Sequence, residues 1–292
     1  MKRQFVTVDF FTDRKFGGNP LAVFPDAEGL STEQMQSIAA EFNLAETTFV
    51  LPPKDPQNTA HVRIFTPKSE MPFAGHPNVG TAFVLARLGR TGDRPNDRFV
   101  FEEAAGLVPL GLTRENGAVV AARLAAPQPL SLVETVSPEI VAQAVGLSPG
   151  DIVGEPVVAS TGNKFLFAEL RSRATLKAAS YNTEIFRRHL PMERTVGVHL
   201  YVTAPEIQSR MFAPLFGVPE DPATGSANVT LIGLLALRDP RTDLTLSKTI
   251  GQGVDMGRPS VLEATAEKKA GKVIATYIGG RCVPMLSGTI EI

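Results

Sequence analysis

Two stretches of the chain are apolar at nearly every position, and each begins at a glycine turn. In GVPEDPATGSANVTLIGLLAL, Gly217 to Leu237, the run from Ala227 onward has almost no polar face, the pattern of a helix enclosed by protein on all sides. Pro219 and Pro222 keep the first half of that stretch out of a helix. AGHPNVGTAFVLARL, Ala74 to Leu88, follows the same plan of Gly, small polar residues and an apolar helix. The same pattern precedes each: Arg63-Ile64-Phe65-Thr66-Pro67 before the first and Arg210-Met211-Phe212-Ala213-Pro214 before the second. A motif that recurs about half a chain apart predicts two similar lobes.

Most other segments alternate with a period of two and predict strands. In the first half these are Gln4–Phe10, Leu21–Phe24, Thr48–Leu51, His61–Phe65, Arg98–Glu102, Leu107–Leu112 and Ala118–Leu124, with an Asn116-Gly117 hairpin turn before the last. In the second half they are Val157–Thr161, Lys164–Leu170, Gly197–Thr203, Arg210–Ala213, Leu244–Ile250, Val261–Ala266, Lys272–Gly279 and Val283–Ile292. Further helices are expected over Thr32–Phe42, capped by Ser31, from Ser137-Pro138-Glu139 to Val145, and as one helix with its cap within Leu176–Leu190. The sum is a β-rich α+β chain with one apolar helix per half. Pro127 and Pro129 mark the boundary, giving a first lobe over residues 1–127 and a second over 128–282. The terminal strand, 283–292, could pack on its own lobe or cross to the first, the favoured arrangement.

Composition narrows the class. A length of 292 residues suits one large or two ordinary domains, and 43% hydrophobic residues are enough for a substantial core. A net charge of −1, with no basic tract, argues against a nucleic-acid partner. Cys282 stands alone, so neither an internal disulfide framework nor a multi-cysteine metal site is expected, and the four His show no HxxxH spacing. No run is long enough to span a bilayer. The N-terminal MKRQFVTVDFF is broken by Asp9 and reads as a strand, not a signal peptide. The expectation is a cytoplasmic globular protein.

The candidate chemistry lies at the glycine turns. The first N–H groups of a helix have no internal partner and the dipole is positive there, so Gly75 and Gly225-Ser226 are candidate sites for a carboxylate or phosphate. Two such helix starts could converge on one cleft. Glu220 and Asp221 bring ionisable groups to the second turn. Glu46 sits where the helix Thr32–Phe42 gives way to a strand, a position that can face a cleft.

Five ordered blocks carry a resemblance: GGNPLAVF, EFNLAETTFV, RIFTPKSEMPFAGHPNVGTA, GVPEDPATGSAN and GQGVDMGRPS, spread from Gly17 to Ser260. They resemble the signature blocks of the phenazine-biosynthesis-type isomerase family (PhzF-like), of the diaminopimelate epimerase-like fold. The resemblance implies two similar lobes, each a β-barrel-like sheet wrapped around a central apolar helix, with the active site between them. It also implies a homodimer, with no organic cofactor and no metal. By the same resemblance Glu46 is the catalytic acid/base, His76 the active-site histidine, Asp221 its acidic partner, and Asn19 a substrate contact. The N–H groups around Gly75-His76 and Gly225-Ser226 would bind the substrate carboxylate and stabilise enolate-like charge. A carboxyl shielded from water holds its proton nearer neutral pH, so such a group can take a proton from one carbon and return it to another.

Two departures bear on the reaction. Relatives that racemise amino acids carry a thiol at each glycine turn; the matching residues here are Ala74 and Thr224, and Cys282 lies outside both. A two-thiol racemase is therefore not expected. The family often has Ser before the catalytic Glu, where this chain has Ala45, which argues against the phenazine precursor as substrate. The expected activity is cofactor-independent proton transfer within a small carboxylate-bearing substrate. The alternatives are a small-molecule binding or regulatory protein with little turnover and, more remotely, an interaction protein.

Overall fold

The computed structural model describes residues 2–71, 75–90 and 97–292, and of His76 the backbone only. Contacts divide the chain into two units, Met1–Ala125 with Gly279–Ile292, and Ala126–Ile278. The first contains β1 (Lys2–Phe10), β2 (Asn19–Phe24), α1 (Thr32–Phe42), β3 (Glu46–Leu51), β4 (Ala60–Phe65), β5 (Glu70–Met71), α2 (Gly75–Arg87), β6 (Arg98–Glu103), β7 (Gly106–Glu115) and β8 (Ala118–Ala125). The second contains β9 (Ser131–Thr135), α3 (Pro138–Val145), β10 (Ile152–Ser160), β11 (Lys164–Leu170), α4 (Arg173–Ala178), α5 (Thr183–His189), β12 (Val198–Val202) and β13 (Ile207–Ala213). It continues with β14 (Val218–Asp221), α6 (Gly225–Arg238), β15 (Leu244–Gln252), β16 (Ser260–Lys269) and β17 (Lys272–Glu291), whose last part belongs to the first unit.

In the first unit β1 pairs antiparallel with β2, β2 parallel with β3, β3 antiparallel with β4, and β4 parallel with β6; β6, β7 and β8 form an antiparallel meander. The Asn116-Gly117 turn of that meander has φ of 50° and 80°, the left-handed pair of a tight hairpin. The end of β17 pairs with β8 and runs antiparallel to β1 from Lys2↔Glu291 to Phe10↔Cys282. These pairings close an eight-stranded barrel. Helix α2 packs on β1, β2, β3, β7 and β8 and buries Val79, Ala82, Phe83, Val84 and Leu85. Such a helix has no polar face to spare, which is why its sequence lacks one. Helix α1, started by a Ser31–Gln34 capping box, covers the sheet with Met35, Ile38 and Ala39 against Phe24, Phe49 and Phe65.

The second unit repeats this order. β9, β10 and β11 are antiparallel, β11 pairs parallel with β12, β12 antiparallel with β13, β13 parallel with β15, and β15 antiparallel with β16, which neighbours β17. Helix α6 is buried along most of its length and packs on β15 and β16. The fold is therefore α+β and diaminopimelate epimerase-like: two similar lobes, each a β-barrel-like sheet around a central apolar helix. The repeat extends to side chains. Arg63 pairs with Glu70 at 2.7 Å and lies 5.1 Å from the Phe65 ring centre; Arg210 pairs with Glu220 at 2.7 Å and lies 4.8 Å from that of Phe212.

Two expected elements differ. The single helix within Leu176–Leu190 is two, α4 and α5. The N–H groups of Ser180 and Asn182 bond to the carbonyls of Val145 and Ala144 at the end of α3, which diverts the chain, and the Asn182 side chain then caps a new helix. The expected strands Lys272–Gly279 and Val283–Ile292 are one continuous strand of 20 residues. Gly279 does not interrupt it but lets it close on β8, since a Cβ there would lie 2.9 Å from the Ala122 carbonyl oxygen. No helix among the described residues is long and apolar enough to cross a membrane.

Candidate active site

In the first unit two of the expected site residues, Asn19 and Glu46, open neighbouring parallel strands at the same end. Gly18 has φ +62°, and a Cβ would sit 2.1 Å from the Phe10 carbonyl oxygen, so only glycine fits. Asn19 follows it, 1% exposed, opposite Phe10 in the β1–β2 register. Asp9 braces the same loop, its Oδ2 accepting the Phe16 N–H at 2.9 Å, a structural role. Two residues beyond Asn19, Leu21 lies opposite Glu46 across the parallel β2–β3 pair. Glu46 is half-buried and opens β3, after Asn43 has ended α1 in the left-handed conformation. Asn19 and Glu46 thus share one end of neighbouring strands.

β3 is also fastened to α2. Thr81 donates its hydroxyl to the Pro77 carbonyl at 2.8 Å, so the 2.8 Å contact with Thr48 is a bond donated by Thr48. Gly75 is the first, buried residue of α2, and His76 the second. The His76 side chain and Ala74 lie outside the described residues.

In the second unit the turn before α6 is tied by a buried network. Asp221, 4% exposed, accepts the Thr224 hydroxyl at 2.6 Å. Gln252, from β15, uses both ends of its amide. Its Oε1 accepts from the Thr224 N–H at 3.1 Å and from Asn228 Nδ2 at 2.7 Å; its Nε2 donates to the Asp221 carbonyl at 2.7 Å and to Thr224 Oγ1 at 3.0 Å. Asn228 Nδ2 also donates to the Thr224 carbonyl at 3.0 Å, leaving its Oδ1 to accept from His199 Nε2 at 3.2 Å. Ser260 donates to the Pro222 carbonyl at 2.8 Å. Two of the blocks seen in the sequence, one around Asp221 and one around Gln252 and Ser260, are therefore parts of one structure that fixes Gly225 and Ser226.

Sequence reasoning did not single out Gln252, Asn228 or His199. A signal was present: Asn78 and Asn228 are polar residues at the same place in two otherwise apolar helices, both buried. His199 packs edge-on against Phe167, and burial lowers its pKa to about 3. With the folded value below the unfolded 6.5, the unfolded chain takes up a proton first. The stability from a neutral His199 is full above pH 6.5 and is lost as pH falls toward 3. His199→Gln is expected to flatten the fall in urea-unfolding stability between about pH 6 and 4 relative to wild type; an unchanged slope contradicts this.

Aligned registers show which groups are duplicated. Phe65 pairs with Thr47 and Phe212 with Val198, so the place of Glu46 is taken in the second unit by Gly197. A Cβ on Gly197 would lie 2.4 Å from the Phe212 carbonyl oxygen, so no side chain fits there. Asp221 pairs with Met211, and its counterpart opposite Ile64 is Met71. The groups that hold the fold recur; the acidic groups that could do chemistry do not. At the position where racemases carry a thiol, Thr224 has a hydroxyl already bonded to Asp221. Cys282 is buried, and burial pushes its thiol far up, away from thiolate.

A duplicated barrel around two buried helices defines the diaminopimelate epimerase-like fold, and full-length relatives named as isomerases place the chain among the isomerases of that fold. The chain belongs to the phenazine biosynthesis-like protein family (PhzC-PhzF), whose sequence model matches residues 8–288. It is 38% identical over 287 residues to the trans-2,3-dihydro-3-hydroxyanthranilate isomerase of Pseudomonas chlororaphis, with 98% of each chain covered. It is 36% identical over 307 residues to an uncharacterised isomerase of Mesorhizobium japonicum, with 99% of each covered. Among solved structures, the Bacillus anthracis phenazine biosynthesis protein of the PhzF family matches with a TM-score of 0.90 at 25% identity, covering 100% of both chains.

Proposed function

We propose that this isomerase moves a proton within a small carboxylate-bearing substrate without a cofactor, Glu46 acting first as base and then as acid. The Glu46 carboxylate takes a proton from one carbon. The electron pair left behind is delocalised toward the substrate's carboxylate end, and the proton is returned to another carbon. Nothing is oxidised or reduced. The N–H groups of the turns at Gly75 and Gly225-Ser226 hold the carboxylate and the developing charge. His76 and Asp221 bind a hydroxyl or amine or relay a proton, and Asn19 contacts the substrate.

The observation that carries this reading is an unduplicated carboxylate: Glu46 opens β3 at the same end at which Asn19 opens the neighbouring β2, and its duplicate position is a glycine with no room for a side chain. One group that accepts and returns a proton suits an isomerase; a pair of opposed bases suits a racemase. The relatives named as trans-2,3-dihydro-3-hydroxyanthranilate isomerases make that compound the first substrate to test. Ala45, where a hydroxyl is common in the family, removes one donor beside Glu46 and points to a related ring acid with one fewer polar contact.

The test is to incubate the purified protein with trans-2,3-dihydro-3-hydroxyanthranilate and ring-acid analogues in D₂O, with no metal or nucleotide added. Isomerisation with deuterium at the newly protonated carbon is expected. Tight binding with neither isomerisation nor exchange of any of them would overturn the reading in favour of a binding protein.

A further inference from the structure

In the first unit a shielded acid stands where the second has an amide. β4 and β6 pair in parallel at Ala60↔Phe101 and His61↔Glu102, and β13 and β15 pair likewise at Ile207↔Ile250 and Gln208↔Gly251. One residue further on are Glu103 and Gln252, the last residues of β6 and β15. Each meets the Asn near the start of its central helix: Gln252 accepts from Asn228 at 2.7 Å, and Asn78 lies beside the Glu103 carboxyl.

Gln252 ties the turn before α6 by donating and accepting at once. A carboxylate in the equivalent place offers acceptors only, whereas a neutral carboxyl offers a donor and an acceptor, as an amide does. Both carboxyl oxygens of Glu103 are shielded from solvent, with no hydrogen-bond partner of ordinary geometry among the described residues. Burial pushes this carboxyl up to about 8, with Asn78 pulling the smaller amount the other way. The ionisable groups at the same end of β6 are Lys54, Asp55, His61 and Glu102, and none of them offsets that burial. Glu102 is held by the N–H groups of Lys54 and Asp55 and by Asn58, each bond 2.8 to 2.9 Å. His76 is the titratable residue in the first turn of α2.

We propose that Glu103, acting as a neutral acid, is a positioning residue for the start of α2 through Asn78, as Gln252 is for the start of α6 through Asn228. Its effect on substrate rests on the reading that the Gly75 turn holds the carboxylate. The folded carboxyl titrates above its unfolded value of 4.5, so the stability it contributes is full below that pH and is lost as pH rises through about 8.

The test compares wild type, Glu103→Gln and Glu103→Ala. Amide hydrogen exchange over residues 75–80, corrected for intrinsic rates, is measured at pH 6.5 and 9. Wild-type protection is expected to fall about tenfold at the higher pH, one unit past the midpoint of the carboxyl. Glu103→Gln should stay protected at both values, and Glu103→Ala at neither. A protonated-carboxyl infrared band at pH 6.5, present in wild type and absent in Glu103→Gln, completes the expectation. Equal wild-type protection at both pH values, absence of that band, or a Gln variant as open as the Ala variant would overturn the proposal. These readouts use no turnover, so they stand apart from failure of the proposed reaction. With a substrate that is turned over, KM but not kcat should rise above pH 8 in wild type and stay level in Glu103→Gln; a KM level in both would remove the positioning role.

Discussion

Replacing Glu46 with Gln is expected to cut kcat by about 10²- to 10⁴-fold, the usual contribution of a positioned acid–base group, with little change in KM. The amide keeps the shape and a hydrogen-bonding oxygen but cannot take a proton from carbon. Loss confined to kcat means that the missing interaction is made in the transition state alone. The fold should tolerate the change, because Glu46 is half-buried at the first position of β3 and its backbone still pairs with Leu21. A Gln variant with wild-type kcat and wild-type solvent deuterium incorporation would remove Glu46 from the mechanism. The equivalent residue of the second unit, Gly197, offers no base in its place, and Cys282 is held as a neutral thiol.

The largest effect on stability is expected at Arg210, and the duplication supplies its own control. Arg210 donates to both Glu220 oxygens at 2.7 and 2.9 Å, and through Nη1 to the carbonyls of Leu176, Lys177 and Ala179 at 3.0, 3.1 and 2.7 Å. Its side chain is 11% exposed, and that of Glu220 17%. Arg210→Ala strands a half-buried carboxylate and three carbonyls, and is expected to cost about 2–3 kcal/mol in urea unfolding. Arg63 makes the same bidentate pair with Glu70, but the two side chains are 20% and 36% exposed, and its further partners are Thr32 and Met35. Water can solvate what Arg63→Ala leaves behind, so about 1 kcal/mol is expected there. Equal costs at the two sites would mean that burial does not decide the value of this motif.

The repeat was legible in the chain because each lobe must bury a helix on all sides, and a helix of that kind reads as an unbroken apolar run after a glycine turn. The Arg-x-Phe-x-Pro pattern marked the same two places, and the structure shows why: the Arg braces the turn through an acid and lies over the Phe two residues on. The partners of the turns were not legible. Gln252 reaches Asn228 from 24 residues away, and His199 reaches it from 29 on the other side, so only the strand register brings them together. The split between α4 and α5 escaped for a similar reason, since the bonds that divert the chain come from the end of α3. Glu46 drew notice from its place after α1, but its role came from the family resemblance, because a carboxylate at the start of a strand has no signature of its own.

The most direct measurement is the position of bound 3-hydroxyanthranilate, the aromatic counterpart of the relatives' substrate, in a crystal of the wild-type protein. The account predicts its carboxylate about 2.7–3.1 Å from N–H groups at Gly75 or Gly225-Ser226, and a ring carbon about 3–3.5 Å from a Glu46 oxygen. A ligand seated with Glu46 out of reach of every ring carbon would contradict it.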